Sequence, residues 1–193
     1  EVAALAVARP GDVVFTSGGT EAVAMALQPV HADECLHAGA AEHAAVLAGG
    51  RFARERIRIV PVDADGRLDF SELDIGIAQR EGFDGPVHVA VQVANNETGA
   101  VTPLETFKAI KERGWHLTAD AVQAAGRIEL APYAALADAM VVSAHKIGGP
   151  KGVGALVFNP RTCGTMRPLI GGGGQERGCR GGTENVAGIV GFG

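Results

Sequence analysis

Ser143-Ala144-His145-Lys146-Ile147-Gly148-Gly149-Pro150-Lys151-Gly152 places a lysine where an apolar run, Ala139-Met140-Val141-Val142, gives way to a glycine-rich loop. The run reads as a strand and the loop as the exit from its carboxyl end. In open α/β sheets, ligands bind in the crevice outside the carboxyl ends of the strands. A lysine there can condense with an aldehyde cofactor, and Ser143 and His145 beside it offer donors to a phosphate. Taken alone, the same stretch also fits a solvated loop, so the rest of the chain has to decide.

Outward from this strand, short β-branched runs alternate with longer helical patterns, punctuated by Gly, Asp and Pro. The pattern predicts strands at Val13–Thr16, Glu34–His37, Arg56–Pro61, Val87–Ala94, His116–Ala119, Ala139–Ser143 and Val153–Asn159. Helices are expected at Thr20–Leu27, His43–Gly49, Ser71–Ala78, Pro103–Arg113 and Ala121–Ala125, with a last one from about Asn185. Such alternation implies an α/β fold with a mainly parallel central sheet covered by helices on both faces. No repeat or linker divides the chain, and Arg161–Gly182, rich in Gly and Arg, reads as a loop laid over a surface.

The 193 residues are 47% hydrophobic, enough for a substantial core. A net charge of -5 without a basic stripe argues against a nucleic-acid partner. The apolar run Val87–Val93 is broken by His88 and Gln92 and is far too short for a membrane span, so no membrane partner is expected. Three cysteines (Cys35, Cys163 and Cys179) lack CxxC spacing, which argues against a disulfide framework and against a zinc site. The expectations are therefore no metal, a reducing compartment and a cytoplasmic location. Because the chain opens at Glu1 inside a helical pattern, it is expected to be part of a longer protein.

Four further stretches sit at strand ends. Ser17-Gly18-Gly19-Thr20-Glu21 follows one strand and opens a helix, so its amides can hold a phosphate; a plain turn capped by Thr20 is the alternative. Asp120, with Gln123 one turn on, can address the nitrogen of a planar ring and keep it protonated, or can simply cap a helix. His43 follows a strand where an imidazole can stack on a cofactor or move a proton. Asn95-Asn96-Glu97-Thr98-Gly99 either reaches the same crevice or forms an Asn/Gly turn. His31, His37, His88 and His116 have no comparable context and receive no role. Convergence on one sheet edge favours a pyridoxal-phosphate site.

In order and spacing, Phe15-Thr16-Ser17-Gly18-Gly19-Thr20-Glu21, Glu42-His43, Asn95-Asn96-Glu97-Thr98-Gly99, Asp120-Ala121-Val122-Gln123, Ser143-Ala144-His145-Lys146 and Arg180-Gly181-Gly182-Thr183-Glu184-Asn185 resemble the signatures of cysteine desulfurases of the NifS/IscS type. These are class V, fold-type I pyridoxal-phosphate enzymes, and the resemblance spans essentially the whole chain. It implies that residues 1–193 are the large cofactor-binding domain of such an enzyme, incomplete at both ends. Lys146 would then carry the cofactor, Asp120 would partner the pyridine nitrogen, Gln123 the phenolic oxygen, and His43 would stack on the ring. Gly19, Thr20, Ser143 and His145 would belong to the phosphate cradle, with Asn95 near the substrate side. Thr183 would reach the phosphate of a neighbouring subunit, implying a homodimer.

The resemblance further implies conversion of L-cysteine to L-alanine, with sulfur passed as a persulfide to an acceptor or scaffold protein for iron-sulfur cluster or other sulfur-transfer pathways. The nucleophilic cysteine of that family lies beyond Gly193, and Cys179 does not match its position, so this segment alone is expected to be inactive. The alternatives are a selenocysteine lyase or class V aminotransferase, or a non-catalytic cofactor-binding remnant.

Overall fold

The computed structural model describes residues 1–71, 85–158 and 166–193. Seven strands form one sheet: β1 Val13–Thr16, β2 Cys35–Gly39, β3 Ile57–Val60, β4 Val87–Gln92, β5 His116–Asp120, β6 Ala139–Ser143 and β7 Gly154–Phe158. Their spatial order is β1-β7-β6-β5-β4-β2-β3. All the pairings from β3 across to β6 are parallel, whereas β7 runs antiparallel to both β6 and β1. Six strands therefore end on the same edge of the sheet, and β7 begins there.

β4, β6 and β7 are buried along their whole length, as expected of strands covered on both faces. Alternate residues feed two cores. Val89, Val91, Leu117, Met140 and Val142 pack on one side with Phe107, Ile110 and Tyr133. Leu36, Ala90, Val141 and Leu156 pack on the other with Val23, Met25 and Leu27. The helices that supply these side chains are α1 Val2–Leu5, α2 Gly19–Ala26, α3 Ala44–Leu47, α4 Leu104–Glu112, α5 Ala131–Ala134 and α6 Val186–Phe192. Among the described residues, no helix is long and apolar enough to cross a membrane.

The strand expectations hold with one- or two-residue shifts at the ends. Of the helices, Ala121–Ala125 is not one. Asp120 accepts a hydrogen bond from the Val122 amide, a single turn forms, and Gly126 at φ 70° ends it. α5, which carries Pro132, was not anticipated. The expected helix at Ser71–Ala78 lies, beyond its first residue, outside the described residues, as do Asn159 and the first part of the Arg161–Gly182 loop.

The rest of that loop covers the edge strand β1. Glu176 accepts from the Phe15 amide at 3.1 Å, Arg177 donates to the Val13 carbonyl at 2.6 Å, and Arg180 pairs with Glu21 at 2.8 Å. An otherwise open strand edge is thereby closed.

Gly154, on β7, sits in register between Thr16 and Ser143. A Cβ there would lie 2.6 Å from the Gly18 carbonyl carbon and 2.9 Å from the Gly19 nitrogen. Only glycine lets the turn into α2 close onto the sheet. Gly154→Ala is expected to cost about 1–3 kcal/mol in urea unfolding by forcing backbone apart. Gly11→Ala, where nothing lies within 4 Å, is expected to stay within about 1 kcal/mol of the parent. Equal stability of the two variants would refute the close-packing account.

Candidate active site

A cleft of about 370 Å³ opens at the carboxyl edge of the sheet. Its floor and walls come from separate loops. Gly19 and Thr20 begin α2, His43 precedes α3, Asp120 ends β5 with Gln123 just beyond it, and Ser143, His145 and Lys146 follow from β6. Eight residues singled out in the sequence therefore meet in one place.

The amino end of α2 has no side-chain cap, so its first amides are available to an anion, and the helix dipole favours negative charge there. Opposite, Ser143 is buried, and its Oγ lies 2.9 Å from Nδ1 of His145. Gly19 is also tightly placed: a Cβ on it would come 3.2 Å from Val122 and 3.4 Å from Ser143. A cradle this close, with amides and a hydroxyl turned inward, fits a phosphate.

Lys146 lies in a single 3-10 turn after β6. Arg127 holds that turn by donating to the Lys146 carbonyl at 2.7 Å, and holds the facing loop by donating to the Gln123 carbonyl at 3.1 Å. The lysine and the glutamine are thus positioned by one guanidinium. His43 is oriented by accepting from the Ala45 amide through Nδ1 at 3.1 Å.

Two carboxyl groups stand close together beneath the cleft. Burial raises the pKa of Asp120, while the Val122 amide and the charge of His43 partly oppose the rise. Glu42 is driven further. Burial pushes its carboxyl well above the usual range, against the opposing hydrogen bond from the Gln92 amide, and the charge of Asp120 adds to the rise. Glu42 Oε1 accepts from that amide at 2.8 Å, while Oε2 is buried without a partner. Both carboxyls are therefore held towards their neutral form, Glu42 further than Asp120.

Neither Asn95 nor Thr183, which is expected at a neighbouring subunit's cofactor, lines this cleft. Asn95 does not line the cleft; its side chain shapes the loop instead, donating to the Ala41 carbonyl at 2.8 Å and accepting from the amides of Glu97 and Thr98. Asn96 and Glu97 face the cleft in its place. Thr183 is exposed and lines a separate hollow of about 150 Å³. Cys179 is buried in the core on the α2 side and does not line the cleft. Sequence reasoning left Glu42, Gln92, Arg127 and Gly154 without roles. A polar residue inside an apolar strand was the available signal for Gln92, and a strand glycine for Gly154.

The profile of the family described as "Aminotransferase class-V" matches residues 1–193. The chain is 43% identical to a cysteine desulfurase of Frankia sp. (strain EuIK1), over 100% of this chain and 49% of the relative. It is 41% identical to a cysteine desulfurase of Bradyrhizobium diazoefficiens, over 94% of this chain and 47% of the relative. Among solved structures, the NifS-like protein of Rickettsia africae superposes with a TM-score of 0.87 at 32% identity, covering 99% of this chain and 53% of that one. The chain spans about half the length of the curated relatives it matches. With a mostly parallel seven-stranded sheet and its cleft at the strand ends, the chain belongs to the class-V aminotransferase family.

Proposed function

We propose that this chain is the cofactor-binding part of a pyridoxal-phosphate-dependent cysteine desulfurase. The observation that carries the reading is the convergence of Lys146, Asp120 and the uncapped amino end of α2 on one cleft. Thr20, Ser143, His145 and the α2 amides would hold the phosphate, Lys146 Nζ would bind the aldehyde carbon, and His43 and Gln123 would flank the ring. When bound, the cofactor supplies an electrophilic carbon for the substrate amine and a ring that withdraws electrons from the neighbouring carbon.

The remaining tasks fall to the chain. The Asp120 carboxylate holds a proton on the ring nitrogen, a task that requires Asp120 to keep its charge while Glu42 stays neutral. Lys146 Nζ would be placed to accept the Cα proton of bound L-cysteine. A thiolate from an acceptor then attacks the substrate sulfur. An S–S bond forms, the Cβ–S bond breaks with its electron pair left on Cβ, and protonation at Cβ together with return of the Cα proton gives L-alanine and a persulfide.

Among the described residues, Cys35 and Cys179 are both buried and neither lines the cleft, which supports an acceptor thiol outside them that passes sulfur on to a scaffold protein for iron-sulfur cluster assembly or another sulfur-transfer route. Thr183 lies apart from Lys146, with Val186 and Val190 exposed at 65% and 73% just beyond it. Those features support a homodimer in which Thr183 serves the neighbouring subunit's phosphate.

Borohydride reduction of the cofactor-loaded protein, followed by peptide mapping, is expected to place the label on Lys146. Lys151, five residues on in the same loop, is the internal control. A label there, or none in a loaded sample, refutes the assignment.

Asp120→Asn keeps an acceptor for the Val122 amide and removes the charge. Loss of a charge-assisted hydrogen bond worth about 1.5–3 kcal/mol slows Cα-proton exchange of bound L-alanine in deuterated water by about 10- to 150-fold. An unchanged exchange rate would show that the carboxylate serves only the turn.

The raised Glu42 carboxyl sets a pH dependence. The folded protein keeps this proton to higher pH than the unfolded chain, whose value is near 4.5, so its stabilising contribution is complete below that value and is lost as pH rises through the folded value. Glu42→Gln does not titrate. Its melting temperature is therefore expected to gain on the parent steadily as pH rises above 4.5, and a constant difference from pH 4 to pH 9 would show that Glu42 is not the buried acid.

A further inference from the structure

At the amino ends of the parallel strands, on the edge opposite the cleft, three potential ligands face one another. Glu34 immediately precedes β2, His88 is the second residue of β4, and His116 opens β5. His88 and His116 are register partners across the β4–β5 ladder, and their rings lie 4.3 Å apart, tilted by 40°. Glu34 Oε1 lies 3.9 Å from His88 Nδ1 and 3.7 Å from His116 Nδ1. All three ligand atoms fall within 4.8 Å of one another.

These separations are too long for hydrogen bonds. His88 Nδ1 is consequently buried with no partner, on a side chain that is 0% exposed. An orphaned nitrogen so deep in the protein is costly unless something else meets it. Around tetrahedral zinc, with metal–ligand bonds of about 2.0–2.2 Å, neighbouring ligand atoms stand roughly 3.4 Å apart. The two distances from Glu34 exceed that spacing by a few tenths of an ångström, and the third lies within 4.8 Å, so a modest inward shift of the side chains would seat a cation.

We infer that Glu34, His88 and His116 form a binding site for a divalent transition-metal cation of the zinc class, tying together the amino ends of β2, β4 and β5. The surrounding groups suit that role. His88 Nε2 lies 2.8 Å from Thr118 Oγ1, a contact that holds the ring and leaves Nδ1 to the cation.

Glu34 Oε2 is anchored by the amides of Val30 and His31, so its other oxygen is aimed inward. Asp138 Oδ2 stands 4.0 Å behind His116 Nε2, and Lys111 lies 2.6 Å from the same oxygen. Glu34 and Asp138 therefore bring two negative charges against one positive. Phe52 packs its edge on His88 and keeps water from that side. Access comes from a hollow of about 520 Å³ lined by Glu34, His116 and His31. Carboxylate and neutral imidazole ligands with an open fourth position match zinc or a similar borderline cation, not calcium or magnesium.

The test is a zinc titration of chelator-stripped protein against a chromophoric competitor. One zinc per chain is expected, and cobalt in its place should show the visible bands of a tetrahedral nitrogen-oxygen site. Glu34→Gln and His116→Gln are each expected to weaken binding by at least 30-fold. His116 is partly exposed, so its variant decides the matter if Glu34→Gln fails to fold. Absence of stoichiometric binding, or unchanged affinity in either folded variant, overturns the site.

Discussion

Parallel pairing through β4, β5 and β6 is the constraint on which the rest of the molecule depends. Parallel neighbours cannot be joined by tight turns, so their carboxyl ends all spill onto one edge and their amino ends onto the other. Every loop that leaves the first edge has to settle beside the others. The Lys146 turn, the Asp120 loop and the His43 loop are held together because the strands beneath them are. The reversed strand β7 completes the arrangement by presenting Gly154 at that edge, where the absence of a side chain lets the amino end of α2 descend towards Ser143.

Charge is then set by depth. Two carboxyl groups near one another in a dry site raise each other's pKa, and the one with less compensation is raised further. Glu42 has an orphaned oxygen and a single amide; Asp120 has an amide and the nearby charge of His43, and it opens to the cleft. A single aspartate charge facing a planar cofactor is what the proposed chemistry needs.

The opposite edge obeys the same geometry with other residues. Register places His88 beside His116, and the segment entering β2 adds Glu34. One sheet thus carries a cofactor-type cleft at its carboxyl ends and a ligand cluster at its amino ends, with the two cores lying between them.

The sequence by itself determined the strands and the chemical identity of the cleft. Strand positions were readable because short β-branched runs bounded by Gly, Pro and Asp leave the backbone few other choices, and the cleft motifs because each is local: lysine, histidine and serine within four residues, aspartate and glutamine within four. The tertiary structure alone decided strand order, the reversal of β7, the ending of a would-be helix at Gly126, and the turning of Asn95 into a loop brace. It also brought His88 and His116 together, which looked contextless in the sequence because their neighbours lie on other strands. Propensity acts between neighbours along the chain, whereas a buried polar atom is satisfied or orphaned by whatever the register sets opposite it.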